Sequence, residues 1–100
     1  MRWTAKELFS HGASTEWVVE PGRLAIASVG TVELVRHVAD QAWGKISELV
    51  PLTLEVERSR TDDVGRVVMV TGFSFEESET MMILEIVEKT FGTSLDKSEV

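Results

Sequence analysis

The fold is decided by the stretch RVVMVTGF at residues 66–73, which is apolar on both of its alternating faces. The earlier stretch RLAIASV at residues 23–29 has the same property. On the later stretch, one face carries Val67, Met69 and Phe73 and the other carries Val68 and Val70. On the earlier stretch, one face carries Leu24 and Ile26 and the other carries Ala25, Ala27 and Val29. Strands with two apolar faces are usually covered on both sides. Both stretches are therefore predicted to be strands buried on both sides.

Two further strands are predicted beside them. Residues 16–20 precede Pro21-Gly22, a turn signal that makes a hairpin with 23–29. Residues 52–58 alternate between apolar and polar side chains, as does a strand with one wet face. A polar turn over 59–65 leads from this strand to the stretch at 66–73.

Two long helices complete the pattern. Apolar residues recur at three- and four-residue steps over 31–50, after Thr31 as a candidate N-cap. Ser74 and Glu77 form a capping box before a second apolar stripe, and Gly92 is the expected C-cap. The periodicity assigns an aromatic residue of each helix to the core, Trp43 in the first and Phe91 in the second.

The two ends of the chain are predicted from local signals. Thr4 and Glu7 form a capping box, and Trp3 and Leu8 have the spacing of a hydrophobic staple, which predicts a short helix over 4–11. Residues 94–100 are polar and are expected to form a flexible tail.

These elements predict one α+β domain over residues 1–93. Its two ββα halves occupy 15–50 and 52–92, and form a two-layer sandwich with a four-stranded antiparallel sheet and both helices on one face. Helices divided between the two faces are the alternative. The halves echo each other at Gly22-Arg23 and Gly65-Arg66, and at Trp43-Gly44 and Phe91-Gly92. This echo indicates an internal repeat, although any two amphipathic helices align in some register.

This layout resembles that of the pterin-4a-carbinolamine dehydratases. Glu16-Trp17 before a glycine-containing turn is similar to the first hairpin of that family, and Pro51 falls where its active-site motif would lie. The family's site contains an adjacent histidine pair before such a proline. Leu49 and Val50 occupy those positions here, so the resemblance implies a layout and no catalytic residue.

Composition excludes several classes of function. The net charge of −7 and the scattered basic residues argue against nucleic-acid binding. The longest apolar runs have four residues, and charged side chains interrupt the first apolar positions, so we expect neither a membrane span nor a secretory signal. Thirteen glutamates with no asparagine or cysteine suggest a heat-adapted cytoplasmic protein.

Candidate chemical groups have simpler explanations. His37 shares a helix face with Glu33 and Gln41, but a third metal ligand of suitable type is not evident. Two pairs of carboxylates also have structural explanations. Glu55 and Glu57 lie on the solvent-exposed face of a predicted strand, and Asp62 and Asp63 lie in a predicted turn. No phosphate-binding loop or nucleophile motif is present. We predict no catalytic residue, cofactor or metal, and the question of enzyme activity stays open.

The two long helices can cover only one face of the sheet, so its other face should meet another molecule. We predict a small soluble homo-oligomeric binding or assembly module. The alternative is a binder or enzyme for a pterin- or nucleotide-like small molecule. An unidentified protein is a further candidate partner. If the strand of Trp17 lies at the sheet edge, Trp17 is expected to anchor an interface. The alternative is that Trp17 is an ordinary core residue. The interface candidates are Ala25, Ala27, Val68 and Val70, with Met81, Leu84 and Trp17.

Overall fold

A computed structural model describes residues 1–98 of the chain. Within these residues six strands and two helices follow one another, with short 3-10 turns at Ser10–Gly12 and Glu77–Glu79. The elements are β1 (Arg2–Leu8), β2 (Ser14–Glu20), β3 (Arg23–Gly30), α1 (Val32–Ser47), β4 (Thr53–Thr61), β5 (Val67–Ser74), α2 (Thr80–Phe91) and β6 (Asp96–Ser98).

The strands form one antiparallel sheet in the order β4-β5-β3-β2-β1-β6. The predicted α+β class is confirmed. The prediction of four strands is wrong, because β1 and β6 extend the sheet beyond β2. A six-stranded sheet does not confirm the layout of the pterin dehydratases.

The first segment is a strand and not the predicted helix over 4–11. Within this strand residues 3–8 pair with β2, with Trp3 and Ala5 turned toward the helices. The capping box and staple are therefore absent, and Leu8 is exposed. A helix of this length is marginal by itself, whereas the edge of β2 offers a complete ladder of hydrogen bonds, so tertiary pairing overrides the local signal.

The predicted tail over 94–100 is also partly wrong. Asp96–Ser98 forms β6 and pairs with β1. Leu95 packs against the core, and its amide donates a 2.8 Å hydrogen bond to the Glu88 carboxylate. The last two residues of the predicted tail lie outside the described residues.

Both helices lie on the same face of the sheet, and the core lies between the two layers. α1 packs over β3 and β5, and α2 packs over β2. α1 begins as predicted, with the Leu34 amide donating to the Thr31 hydroxyl at 3.2 Å. α2 begins later than the Ser74 capping box predicts, at Thr80, because Ser74 still belongs to β5. The largest fully buried side chains of the core are Trp17, Leu24, Ile26, Ile46 and Ile83.

Candidate functional site

The face of the sheet turned away from α1 and α2 is uncovered in the subunit. We call it the open face, and it is apolar at its centre. Val70 is 40% exposed there, and the other side chains of the block are also partly or largely exposed. The apolar block consists of Val18, Ala25, Ala27, Val29, Val56, Val68, Val70 and Gly72.

Strand register arranges the open face in rows across the sheet. One row runs across five strands as Arg58, Val70, Ala27, Glu16 and Lys6. Charged side chains therefore lie at both ends of the row, with small apolar side chains between them. This separation is the arrangement of an interface with an apolar centre and a polar rim.

A second row of residues lines a groove in the open face. It runs as Val56, Gly72, Ala25, Val18 and Thr4. A shallow groove of about 520 Å³ lies along it. A methyl group at Gly72 would stand 3.6 Å from the Val56 Cβ atom, an ordinary contact, so the missing side chain leaves a depression in the sheet surface.

The polar end of this groove belongs to the same face. Ser74 donates a hydrogen bond to the Glu55 carboxylate, which lies at a bulge of β4. Glu20 and Arg23 occupy paired positions on β2 and β3. Acidic and basic groups therefore alternate along this end of the open face.

The structure brings four of the sequence-predicted interface residues together. Ala25, Ala27, Val68 and Val70 lie on the open face of the neighbouring strands β3 and β5, where Ala27 is directly opposite Val70. They form the middle of the apolar block. Sequence alternation alone places them on one face, and their role in an interface stays a prediction.

The other three predicted interface residues lie on the helix side of the sheet. Trp17 is completely buried, with its ring centroid 4.3 Å from that of Phe91. It is a core residue because β1 lies outside β2, which is therefore not an edge strand. Leu84 is buried, and Met81 is 68% exposed on the opposite side of the molecule from the open face. Neither residue can extend a contact made by that face.

A second feature is a cleft between α1 and β4. α1 covers β3 and β5, whereas every residue of β4 is exposed. The cleft has a volume of about 240 Å³. Its apolar lining consists of Ala39, Trp43, Leu54 and Phe73.

The polar groups of this cleft occupy its rim and its floor. Arg36 forms an ion pair with Glu57 across the rim, and Asp40 stands beside them on α1. Thr71 lies on the floor, is 3% exposed, and its hydroxyl has no hydrogen-bond partner. A mostly apolar cleft with a few polar groups is the usual form of a small-molecule site.

Helical periodicity misassigned one wall of this cleft. Trp43 is predicted to be a core residue, yet it is 43% exposed, with its ring centroid 5.8 Å from that of Phe73. The periodicity identifies the residues that face the sheet, but it does not reveal that β4 lies beyond the edge of α1. A bulge between Leu54 and Val56 interrupts the register of β4, and no sequence signal marks it.

The other titratable groups singled out in the sequence do not form a metal site. In the described part of the chain, no group of three His, Cys, Asp or Glu side chains has an arrangement that could hold a metal ion. Asp62 instead organises the turn between β4 and β5: the amides of Val64 and Arg66 and the Arg66 guanidinium donate to its carboxylate. Partial burial acts to raise the pKa of Asp62, but these hydrogen bonds and the Arg66 charge hold it below its ordinary value.

No protein-family model, curated protein or solved structure matches this chain. Between residues 1 and 98, no helix is both long and apolar enough to cross a membrane.

Proposed function

We propose that the chain is a small cytoplasmic homo-oligomeric binding and assembly module, in which the open face packs against the open face of a second copy. The observation that carries this proposal is the apolar block on the uncovered side of β3 and β5. Central strands with apolar side chains on both faces are normally covered on both sides, and the helices of one subunit cover only one. A second sheet supplies the missing layer.

The dimensions of the open face support a sheet-on-sheet contact. The four strands from β4 to β2, about 4.8 Å apart and each contributing about seven residues with a rise of about 3.3 Å, span roughly 440 Å² in projection. A standard interface buries about 800 Å² of accessible surface per partner, and side-chain relief makes accessible area larger than projected area. The face is therefore of the size that a dimer of small subunits requires.

Charge complementarity selects a particular symmetric arrangement. A two-fold axis that runs parallel to the strands between β3 and β5 places β5 over the partner's β3, and β4 over the partner's β2. Within one row, Arg58 then faces Glu16 of the partner subunit, and Val70 faces Ala27 of the partner subunit. In the next row, Val56 faces Val18 of the partner subunit. In these two rows apolar side chains meet apolar ones, and the one pair of charges that face each other, Arg58 and Glu16, is opposite in sign.

The test places a charge at the centre of the open face. Val70→Glu buries an unpaired carboxylate in the proposed interface, so we expect the dimer dissociation constant to rise at least a hundredfold. Val64→Glu is the matched control, because Val64 is exposed in the turn after β4, away from the apolar block. Sedimentation velocity measures the dissociation constant, and circular dichroism verifies the fold of each variant. Equal dissociation constants for the wild type and a folded Val70→Glu variant would refute the proposal.

A small-molecule binder is the second candidate function. The observation that favours it is the cleft between α1 and β4, with its aromatic lining and unpartnered Thr71 hydroxyl. The pterin- or nucleotide-like ligand and the dehydratase-like layout inferred from the sequence belong to this candidate. The cleft and the open face lie on opposite sides of the sheet, so the two functions are compatible.

A further inference from the structure

We propose that the cleft between α1 and β4 binds a small planar aromatic cation or heteroaromatic amine. This inference rests on the second candidate function and names its class of ligand. It does not depend on dimer formation, because the cleft lies on the helix side of the sheet and the apolar block lies on the other.

The shape of the cleft sets the size and flatness of the ligand. Its volume of about 240 Å³ is below the range of roughly 300–1,000 Å³ that is typical of drug-sized ligands. One substituted ring is therefore the natural occupant. The exposed indole of Trp43 and the side chain of Leu54 offer apolar walls, and Phe73 lies at their base. Aromatic and aliphatic walls of this kind favour a flat apolar ring.

The charges at the rim set the charge of the ligand. Glu57 already neutralises Arg36 through their ion pair, so Asp40 leaves the rim with a net negative charge. The chain as a whole carries a net charge of −7. A cation over the face of an indole is attracted by the ring quadrupole, and Trp43 supplies such a face. The phosphates of a nucleotide would instead meet Asp40 and Glu57, so the cleft disfavours the nucleotide version of the second candidate.

The floor of the cleft supplies a polar contact. The hydroxyl of Thr71 is buried without a hydrogen-bond partner, an arrangement that is unfavourable unless another molecule completes it. A ring nitrogen or an exocyclic amine of the ligand would provide the partner. Thr15 also has an unpartnered buried hydroxyl, but it lies on β2, outside the cleft. The chain therefore contains its own control for the loss of such a group.

The experiment titrates the ¹⁵N-labelled full chain with benzamidine, which joins one aromatic ring to a planar cation. We expect shifts in the amide resonances of Asp40, Leu54 and Thr71 and in the Trp43 indole N–H, with a Kd on the order of 1 mM for so small a probe. Benzoate, with the same ring and the opposite charge, should cause no such shifts. Cyclohexylamine, a cation without an aromatic ring, should bind at least fivefold more weakly. Equal binding of benzoate, or no cleft-localised shift at ten times that concentration of benzamidine, would overturn the proposal.

Three variants assign the interaction to the cleft. Asp40→Asn and Trp43→Ala should each weaken benzamidine binding at least fivefold, because one removes the rim charge and the other the aromatic wall. Thr71→Val should weaken binding of 2-aminopyridine, a heteroaromatic amine, whereas Thr15→Val should leave it unchanged. The dispersion of the amide spectrum shows whether each variant is folded. Unchanged affinity in a folded Asp40→Asn variant would overturn the proposal.

The oligomer experiment remains separate from this one. Val70→Glu should abolish the dimer and leave benzamidine binding unchanged, since Val70 lies on the open face. Loss of probe binding in Asp40→Asn with an intact dimer would support the cleft site alone. Failure of either proposal is therefore visible without reference to the other.

Discussion

The two faces of β3 and β5 differ in side-chain size more than in polarity. The helix side carries Leu24, Ile26, Met69 and Phe73, which are long enough to fill the space between a sheet and a helix layer. The open face of the same strands carries alanine, valine and glycine along most of its length, with Arg23 and Ser74 at one end. Short side chains give a nearly flat surface, which another sheet matches better than a curved helix does. Apolar character therefore shows that a face of the sheet must be covered, and side-chain size indicates whether a helix layer or a second sheet covers it.

A matched pair of truncations, one on each face, should give the largest effect. Ile26→Ala removes a 2%-exposed side chain from the core, and we expect the free energy of unfolding to fall by about 2–5 kcal/mol. Val70→Ala should cost the isolated subunit less than about 1 kcal/mol, since Val70 is 40% exposed there. Urea unfolding at a concentration where the chain is monomeric measures both changes. Equal losses would mean that the open face is part of the subunit core.

Enlarging a small residue on the open face should disturb assembly without disturbing the fold. Ala27→Leu overfills the proposed contact, in which Ala27 faces Val70 of the partner subunit, so we expect a cost of about 1–3 kcal/mol and a dissociation constant raised about tenfold or more. Val64→Leu is the control, because it adds bulk to the exposed turn beyond β4. Analytical ultracentrifugation distinguishes the two variants. An unchanged dissociation constant for Ala27→Leu would show that short side chains are not needed for the contact.

Reversing the charges at the rim should have a smaller effect. Glu16→Arg and Arg58→Glu should each weaken the dimer, and the double variant should regain part of the loss, with a coupling of about 0.5–1 kcal/mol. The reason is that the proposed two-fold axis places each of these side chains opposite the other in the partner. Dissociation constants of the four proteins complete the cycle. Absence of coupling at low ionic strength would exclude this axis while leaving other sheet-on-sheet arrangements open.

The smallest effect is expected at the turn that joins the exposed edge strand β4 to β5. The native pKa of Asp62 lies below its ordinary value of 3.8, so its carboxylate stabilises the fold at pH values above 3.8. That contribution is lost as the pH falls through the lower native pKa. Asp62→Asn should therefore be less stable than the wild type at neutral pH, and the difference should shrink in acid. Thermal unfolding across the acid range measures it, and a pH-independent difference would contradict the assignment.

Sequence patterns predicted the middle of the molecule better than its edges. Both long helices, the β2–β3 hairpin and the two-sided apolar strands follow from periodicities that the structure retains. Arg2–Leu8 was misassigned because its capping box is a local signal, whereas its strand depends on β2, which is distant in sequence. Asp96–Ser98 depends in the same way on β1.

The candidate sites show the same division. Alternation along β3 and β5 placed Ala25, Ala27, Val68 and Val70 on one face without knowledge of the strand order. The sequence leaves Trp17 open between an interface anchor and a core residue and predicts that Trp43 is buried, whereas the structure buries Trp17 and leaves Trp43 43% exposed. Their exposure depends on which strand is an edge and on where α1 lies. The strand order is set by pairing between distant segments, so the sequence around Trp17 or Trp43 does not reveal it. The cleft that Trp43 lines was therefore invisible in the sequence.

The oligomeric state of the wild-type chain decides whether the open face pairs with a second copy. Light scattering coupled to size-exclusion chromatography measures the mass of the species in solution at micromolar and higher concentrations. If the open face pairs with that of a second copy, the mass will be twice the 11.1 kDa of one chain and will fall on dilution. A mass of one chain throughout that range would contradict the claim.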